Sequence, residues 1–141
     1  MNLKLYSRYR NSAGQRVRTS LNIKGVGYEY IAVSLAGGAP DSYRKEINPQ
    51  ALIPSLLIDG EIVTQSTALI EFIEERFEGP SLLPDDPVAR ARSRAFSQVI
   101  ACEIHPLQNL RTLQYLEQNY GQQLDGKEAW CQRWIGDGLA T

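Results

Sequence analysis

Apolar and polar positions alternate over Leu3-Lys4-Leu5-Tyr6, which predicts a strand. The period then lengthens. Val17 and Leu21 fall on one helical face, with Ile23 a further candidate for burial, so residues 12–24 read as a helix that Gly25 ends. Alternation returns over 28–35 as a second strand. Gly37-Gly38-Ala39-Pro40 reads as a loop, and Asp41 or Ser42 as the cap of a short helix over 43–47 that Asn48-Pro49 stops. Residues 55–58 and 62–64 form a hairpin around Asp59-Gly60, a strong short-turn signal. Residues 66–77 make the clearest amphipathic helix, with Leu69, Phe72 and Ile73 set against Glu71, Glu74, Glu75 and Arg76. The order is βαβαββα. Its first β-α-β unit requires a parallel pair and its hairpin an antiparallel one, so the sheet is mixed.

Strand signals stop after residue 77. A Pro-rich connector over 78–87 leads to Asp86, placed to cap a helix with Pro87 in its first turn. Apolar residues from Phe96 through Val99, Ile100, Ile104, Leu107, Leu110 and Leu113 then repeat at helical spacing to about residue 119, with a kink expected at Pro106. Asp125 opens a further helix, with Glu128 at the capping-box distance. The division is an α/β domain over 1–80, a linker over 81–87 and an all-helical segment over 88–141. Two helices, the second running to the end of the chain, rarely close a core alone. The expectation is therefore a truncated helical domain or one that relies on a partner.

The bulk numbers narrow the function classes. The chain has 141 residues, 43% of them hydrophobic, enough for one compact domain or one and a half small ones. Fifteen basic and 16 acidic residues leave a net charge of −1, so nothing global suggests nucleic acid. Cys102 and Cys131 make no disulfide framework and have no metal-ligand spacing, which points to a reducing compartment and a cytoplasmic protein. No secretory signal is visible, and no run approaches the roughly 18 apolar residues of a membrane span.

Chemistry concentrates at three turns. Between the first strand and first helix, Arg8, Arg10, Arg16 and Arg18 surround Asn11-Ser12-Ala13-Gly14. Free amides at a helix start, one hydroxyl and nearby guanidinium groups suit a thiolate or a carboxylate. A capping Ser12 with surface arginines is the plainer alternative. Ile53-Pro54 stands before a strand, where a cis bond would leave the Ile53 backbone free to pair with an extended ligand. An ordinary strand-entry proline would look the same. Gln65-Ser66 offers a second helix-start anion site, or simply an N-cap. The predicted fold brings all three to one edge, which would suit a short, extended, anionic peptide. On the long helix, His105 and Asn109 share a face at i, i+4, with Arg111 and Tyr115 nearby.

These residues also carry a family likeness. Leu-Tyr-Ser-x-x-Arg followed by Arg16-Val17-Arg18, then Asn48-Pro49-Gln50-x-x-Ile53-Pro54, Gln65-Ser66, Leu82-Leu83-Pro84 and Ile104-His105-Pro106-Leu107-Gln108-Asn109 resemble the zeta class of glutathione transferases, from residue 2 to 141. The resemblance implies a thioredoxin-like, glutathione-binding domain followed by an all-α domain, in a cytoplasmic homodimer of somewhat longer chains. It implies glutathione as cofactor, no metal, and catalysis by Ser12, Asn11 and Arg10. Glutathione would be bound by Asn11, Ser12, Ala13, Arg16, Ile53, Pro54, Gln65, Ser66, His105 and Asn109. A dicarboxylate substrate would be bound by Arg10, His105, Asn109, Leu110 and Arg111, with Arg8 and Arg16 in reserve. The implied activity is cis–trans isomerisation of maleyl β-diketo acids (maleylacetoacetate or maleylpyruvate) in aromatic-compound catabolism. The alternatives are a general glutathione transferase for small electrophiles and a degenerate glutathione- or protein-binding domain. The class signature Ser-Ser-Cys-Ser-Trp-Arg is here Asn11-Ser12-Ala13-Gly14-Gln15-Arg16, so the first serine, the cysteine, the third serine and the tryptophan are all exchanged.

Overall fold

The computed structural model describes residues 1–36 and 38–140. Gly37 of the expected loop, and Thr141 at the end of the expected helical segment, lie outside the described residues. The chain divides into two compact units, Met1–Leu82 and the residues from Leu83 onward.

The first unit is built from β1 (Leu3–Ser7), α1 (Ser12–Ile23), β2 (Glu29–Ala32), α2 (Asp41–Glu46), β3 (Ser55–Ile58), β4 (Glu61–Thr64) and α3 (Ser66–Arg76). Its four strands lie in the order β2-β1-β3-β4. β1 runs parallel to β2 and antiparallel to β3, which pairs antiparallel with β4. This is the thioredoxin-like βαβαββα sheet, mixed as the connectivity requires.

Alternation along β1 sorts the two faces. Leu3, Leu5 and Ser7 point to α1 and α3, while Lys4 and Tyr6 point the other way. On the first face Leu3, Leu5, Val17, Leu21, Leu56, Ile58, Leu69 and Ile73 form the main core. On the second, Val33, Tyr43 and Ile53 form a smaller cluster that Tyr6 and Ile47 pack against. Burying side chains of this size contributes about 1.5–3 kcal/mol each before the entropy of ordering is subtracted.

Local chemistry explains the element ends. Asp59 and Gly60 both have positive φ, 49° and 99°, as a two-residue hairpin turn of right-handed strands demands. That turn is also tied to the chain start: Asn2 N–H donates to Asp59 Oδ1 at 2.8 Å, and Asp59 N–H donates to the Asn2 carbonyl at 3.0 Å. At the far end of α3, Glu74 meets Lys24 Nζ at 2.7 Å and accepts from Ser81 O–H at 2.9 Å and Leu82 N–H at 3.0 Å. One carboxylate thus fixes the chain as it leaves the sheet domain.

Several expectations are corrected. Ile23, a candidate for burial at the end of α1, is exposed. β2 is shorter than 28–35 because pairing with β1 ends at Ala32. α2 starts at Asp41 after Pro40, with no side-chain cap from either Asp41 or Ser42. In the second unit, the single long helix is three pieces.

Those pieces are α4 (Pro87–Gln98), a π-helical segment Val99–Ile104, and α5 (Leu110–Tyr120) after a turn at 105–109. The interruption begins seven residues before Pro106, so the missing proline N–H is not its sole cause. Asp86 caps α4, its Oδ2 accepting from Ala89 N–H at 2.8 Å, with Pro87 at the first position. The last helix, α6 (Leu124–Leu139), starts one residue before Asp125, and its cap position is Gln123 with no side-chain bond. Asp125 instead sits in the first turn, where a negative charge favours the amide end of the helix. Among the described residues no helix is long and apolar enough to cross a membrane.

Candidate functional site

The register places Ser7, Pro54 and Gln65 beside one another at one edge of the sheet, because Tyr6 faces Ser55 and Ser55 faces Thr64. This is where β1 gives way to α1, where β3 begins, and where β4 passes into α3.

At the first corner the cap is Asn11, not Ser12. Asn11 has extended backbone (φ −144°, ψ 116°), and its Oδ1 accepts from Gly14 N–H at 2.5 Å. Its carbonyl takes Gln15 N–H at 2.9 Å. Ser12 is therefore the first helical residue, and it is exposed. With Oδ1 held by the cap, Asn11 Nδ2 has no acceptor among the described residues. It is a fixed donor beside the backbone amides of the α1 start. Arg18 closes the turn from below, donating through Nη1 to the Arg8 carbonyl at 3.2 Å and through Nη2 to the Tyr9 carbonyl at 3.1 Å. Arg8 and Arg10 are exposed, and their guanidinium groups have no hydrogen bond among the described residues.

The second corner is the Ile53–Pro54 bond, which is cis. Ile53 makes no backbone hydrogen bond among the described residues, so its N–H and C=O remain available. The preceding carbonyl, that of Leu52, is held twice: by the Tyr43 hydroxyl at 2.7 Å and by Asn48 Nδ2 at 2.8 Å. The Tyr43 hydroxyl also bonds Ser55 Oγ at 2.8 Å. Burial pushes the Tyr43 phenol above its ordinary range, and the bonds to Ser55 and Asn48 offset part of that rise.

The third corner is Gln65, a non-glycine residue at φ 71°, which aims the start of α3 at the same edge. Gln65 Nε2 donates to Gln50 Oε1 at 2.9 Å. Arg16, from α1, reaches across and donates to Ser66 Oγ at 3.1 Å. That oxygen acts as acceptor, so the Ser66 proton is left to point elsewhere.

Thus Asn11, Ser12, Ala13, Arg16, Ile53, Pro54, Gln65 and Ser66 all belong to the first unit, around one edge. Tyr43, Asn48, Gln50 and Arg18 support it, and of these Tyr43 alone is not singled out from sequence. Asn48 and Gln50 did carry a signal, since they flank Pro49 in the loop before the cis bond.

His105, Asn109, Leu110 and Arg111 belong to the second unit. Asn109 caps α5, its Oδ1 accepting from Arg111 N–H at 3.3 Å. Its Nδ2 lies 3.3 Å from His105 Nε2. Because the oxygen is taken by the cap, the amide group faces the ring and can donate to Nε2 whenever that nitrogen is unprotonated. The expected i, i+4 neighbours do meet, although across a turn rather than on a continuous helix. Arg111 and Leu110 are exposed. Trp130 Nε1 donates to the Leu107 carbonyl at 2.7 Å and anchors this turn to α6. Among the described residues no group of three or more His, Cys, Asp or Glu could hold a metal ion.

Residues 5–81 match the family model described as glutathione S-transferase, N-terminal domain. The chain belongs to the glutathione S-transferase family. Within that family it is 41% identical over 139 residues to a maleylpyruvate isomerase of a Ralstonia species, covering 97% of this chain and 65% of the relative. A solved holo structure of maleyl pyruvate isomerase, described as a bacterial zeta-class member, superposes with a TM-score of 0.93 at 40% identity, over 97% of this chain and 65% of that one. A maleylacetoacetate isomerase from Methylobacterium extorquens AM1, solved with bound malonate and glutathione, gives a TM-score of 0.92 at 38% identity, with the same two coverages. The chain therefore spans about two thirds of the length of these transferases.

Proposed function

We propose that this chain binds glutathione along the edge of its first unit and serves a cis–trans isomerase of maleyl β-diketo acids. The observation that carries the reading is the convergence of three fixed corners: the Asn11 donor, the unpaired Ile53 backbone and the Ser66 hydroxyl behind Gln65. They suit the three parts of glutathione. Asn11 Nδ2, with the amides at the start of α1, stabilises a thiolate. Ile53 pairs with the extended peptide backbone. Gln65 and Ser66 take the γ-glutamyl carboxylate at the start of α3. Bound there, glutathione supplies a thiolate that adds reversibly to the cis double bond, so that rotation and expulsion leave the trans isomer.

The protein's part is electrostatic. Each unit by which the thiol pKa is lowered corresponds to about 1.4 kcal/mol of preference for the thiolate. Arg10, with Arg8 behind it, is an unpaired cation for a substrate carboxylate and for the charge that develops on addition. Arg111, His105, Asn109 and Leu110 are assigned to glutathione and substrate on the family resemblance. Relatives named maleylpyruvate isomerase and maleylacetoacetate isomerase support the substrate class. A cytoplasmic homodimer is part of the same proposal.

The second reading, a general glutathione transferase, draws on one observation: the signature serine and cysteine are replaced by Asn11 and Ala13. Maleylacetone with catalytic glutathione separates the two. Isomerisation is expected. No isomerisation together with conjugation of a chloro-substituted aromatic would favour the general transferase. Absence of glutathione binding by calorimetry would leave a degenerate domain.

A further inference from the structure

Below the α1 start, the position of Gly14 has no room for a side chain. A β-carbon placed on it would lie 2.1 Å from Ser7 Oγ, 2.9 Å from Asn11 Oδ1 and 3.4 Å from Arg18 Nη1. Real β-carbons do not come within 3.0 Å of another heavy atom. Gly14 has no positive φ, so the glycine answers to space and not to backbone conformation. Two of the three atoms that use this space have unusual settings. Ser7 is fully buried, and its hydroxyl has no hydrogen-bond partner among the described residues. Asn11 Oδ1 makes the cap that fixes the direction of its own amide group.

The comparison with the class signature gives this a second side. The signature has serine at the positions of both Asn11 and Gly14. Asparagine is two heavy atoms larger than serine, and glycine is two smaller, so the exchanges conserve volume as a pair. Either exchange alone would overfill or underfill the turn.

We propose that Asn11 and Gly14 form a matched pair in which the empty side-chain position at 14 sets Asn11 as an amide donor to the thiolate, replacing a serine hydroxyl. Gly14 is the specificity-determining member, because it decides which donor the turn can hold. Ser7 is a positioning residue: its hydroxyl fills the floor under Gly14. The inference rests on the glutathione reading. Glutathione binding to the unaltered chain tests that reading separately.

A double-mutant cycle on the full chain tests the pair, read by glutathione affinity in calorimetry and by the ultraviolet titration of the bound thiol. Gly14→Ser in the Asn11 background should weaken glutathione about tenfold and raise the thiol pKa by about one unit, the loss of one hydrogen bond to a charged group. In the Asn11→Ser background the same Gly14→Ser change should cost less than about twofold. Equal effects in the two backgrounds would overturn the pairing. Ser7→Ala is the second arm. Should Ser7→Ala rescue Gly14→Ser while Asn11→Ser does not, the constraint lies with Ser7 alone and the assignment of Asn11 falls. Thermal melts of every variant separate lost folding from a lost donor, and a Gly14→Ser chain that folds only alongside Asn11→Ser also supports the pair.

Discussion

Arg16 Nη1 donates to Ser66 Oγ across 3.1 Å, joining the first helix of the domain to the start of the third. The hydroxyl oxygen is thereby taken as acceptor, so its proton is oriented before any ligand arrives. Ser66→Ala should lower glutathione affinity about tenfold with little change in melting temperature, since a hydrogen bond to a charged group is worth roughly 1.5–3 kcal/mol. Arg16→Lys should cost less, because lysine keeps the charge and loses only the fixed fork. Isothermal calorimetry on both variants checks the order, and a larger loss in Arg16→Lys would contradict it.

Asn11 has two jobs that different substitutions separate. Asn11→Asp keeps a strong cap acceptor for Gly14 N–H but removes the donor and adds a negative charge beside the sulfur. It should fold as well as the parent and raise the bound thiol pKa by more than about one unit. Asn11→Ala should instead lose about 1 kcal/mol of stability along with the donor. Chemical denaturation and thiol titration on the same samples distinguish them.

Gln65 holds a left-handed backbone setting that a side chain adopts at a cost. Gln65→Gly should relieve on the order of 1 kcal/mol and raise the unfolding midpoint. The same change removes the Gln50 contact and should weaken glutathione binding. Stability and affinity would then move in opposite directions, whereas a parallel fall would show that the backbone setting carries no strain.

These predictions draw on features of uneven visibility in the sequence. The hairpin was plain because Asp59-Gly60 states its turn type in two residues. The three-cornered edge was legible only through the βαβαββα order, because Pro54 and the Gln65-Ser66 junction each have an ordinary structural reading taken alone. Sequence leaves Asn11 and Ser12 level as caps, since Asn and Ser cap equally well and only the backbone at residue 11 decides. The π-helical segment was missed because its apolar spacing is indistinguishable from an α-helix over one turn. The floor of the sulfur turn was invisible for a different reason. Ser7 and Gly14 are seven residues apart and meet only once α1 lies on β1.

The Lys24–Glu74 pair gives a pH prediction. The Lys24 hydrogen bond, more than the Leu82 and Ser81 bonds, holds the Glu74 carboxyl below its ordinary value of 4.5, against some desolvation. A lowered folded-state pKa means that the stabilisation is complete above the ordinary value and is lost as pH falls through it towards the folded value. Glu74→Gln should therefore be less stable than the parent by about 2 kcal/mol at neutral pH, with the difference shrinking below about pH 4.5. Lys24 is almost fully buried, so most of that loss is the ammonium left without its partner. Urea titrations at a series of pH values check the convergence, and a constant gap would rule it out.

The paired hydrogen bonds between Asn2 and Asp59 have a practical consequence. They pin the chain start beside the hairpin turn, at the end of the strands opposite Ser7, Pro54 and Gln65. At about 3.3 Å per strand residue, that is more than 10 Å from the edge proposed for glutathione. A surface tether or fluorophore attached ahead of Asn2 would leave the ligand edge facing solution. Immobilised protein and free protein should then report the same glutathione affinity.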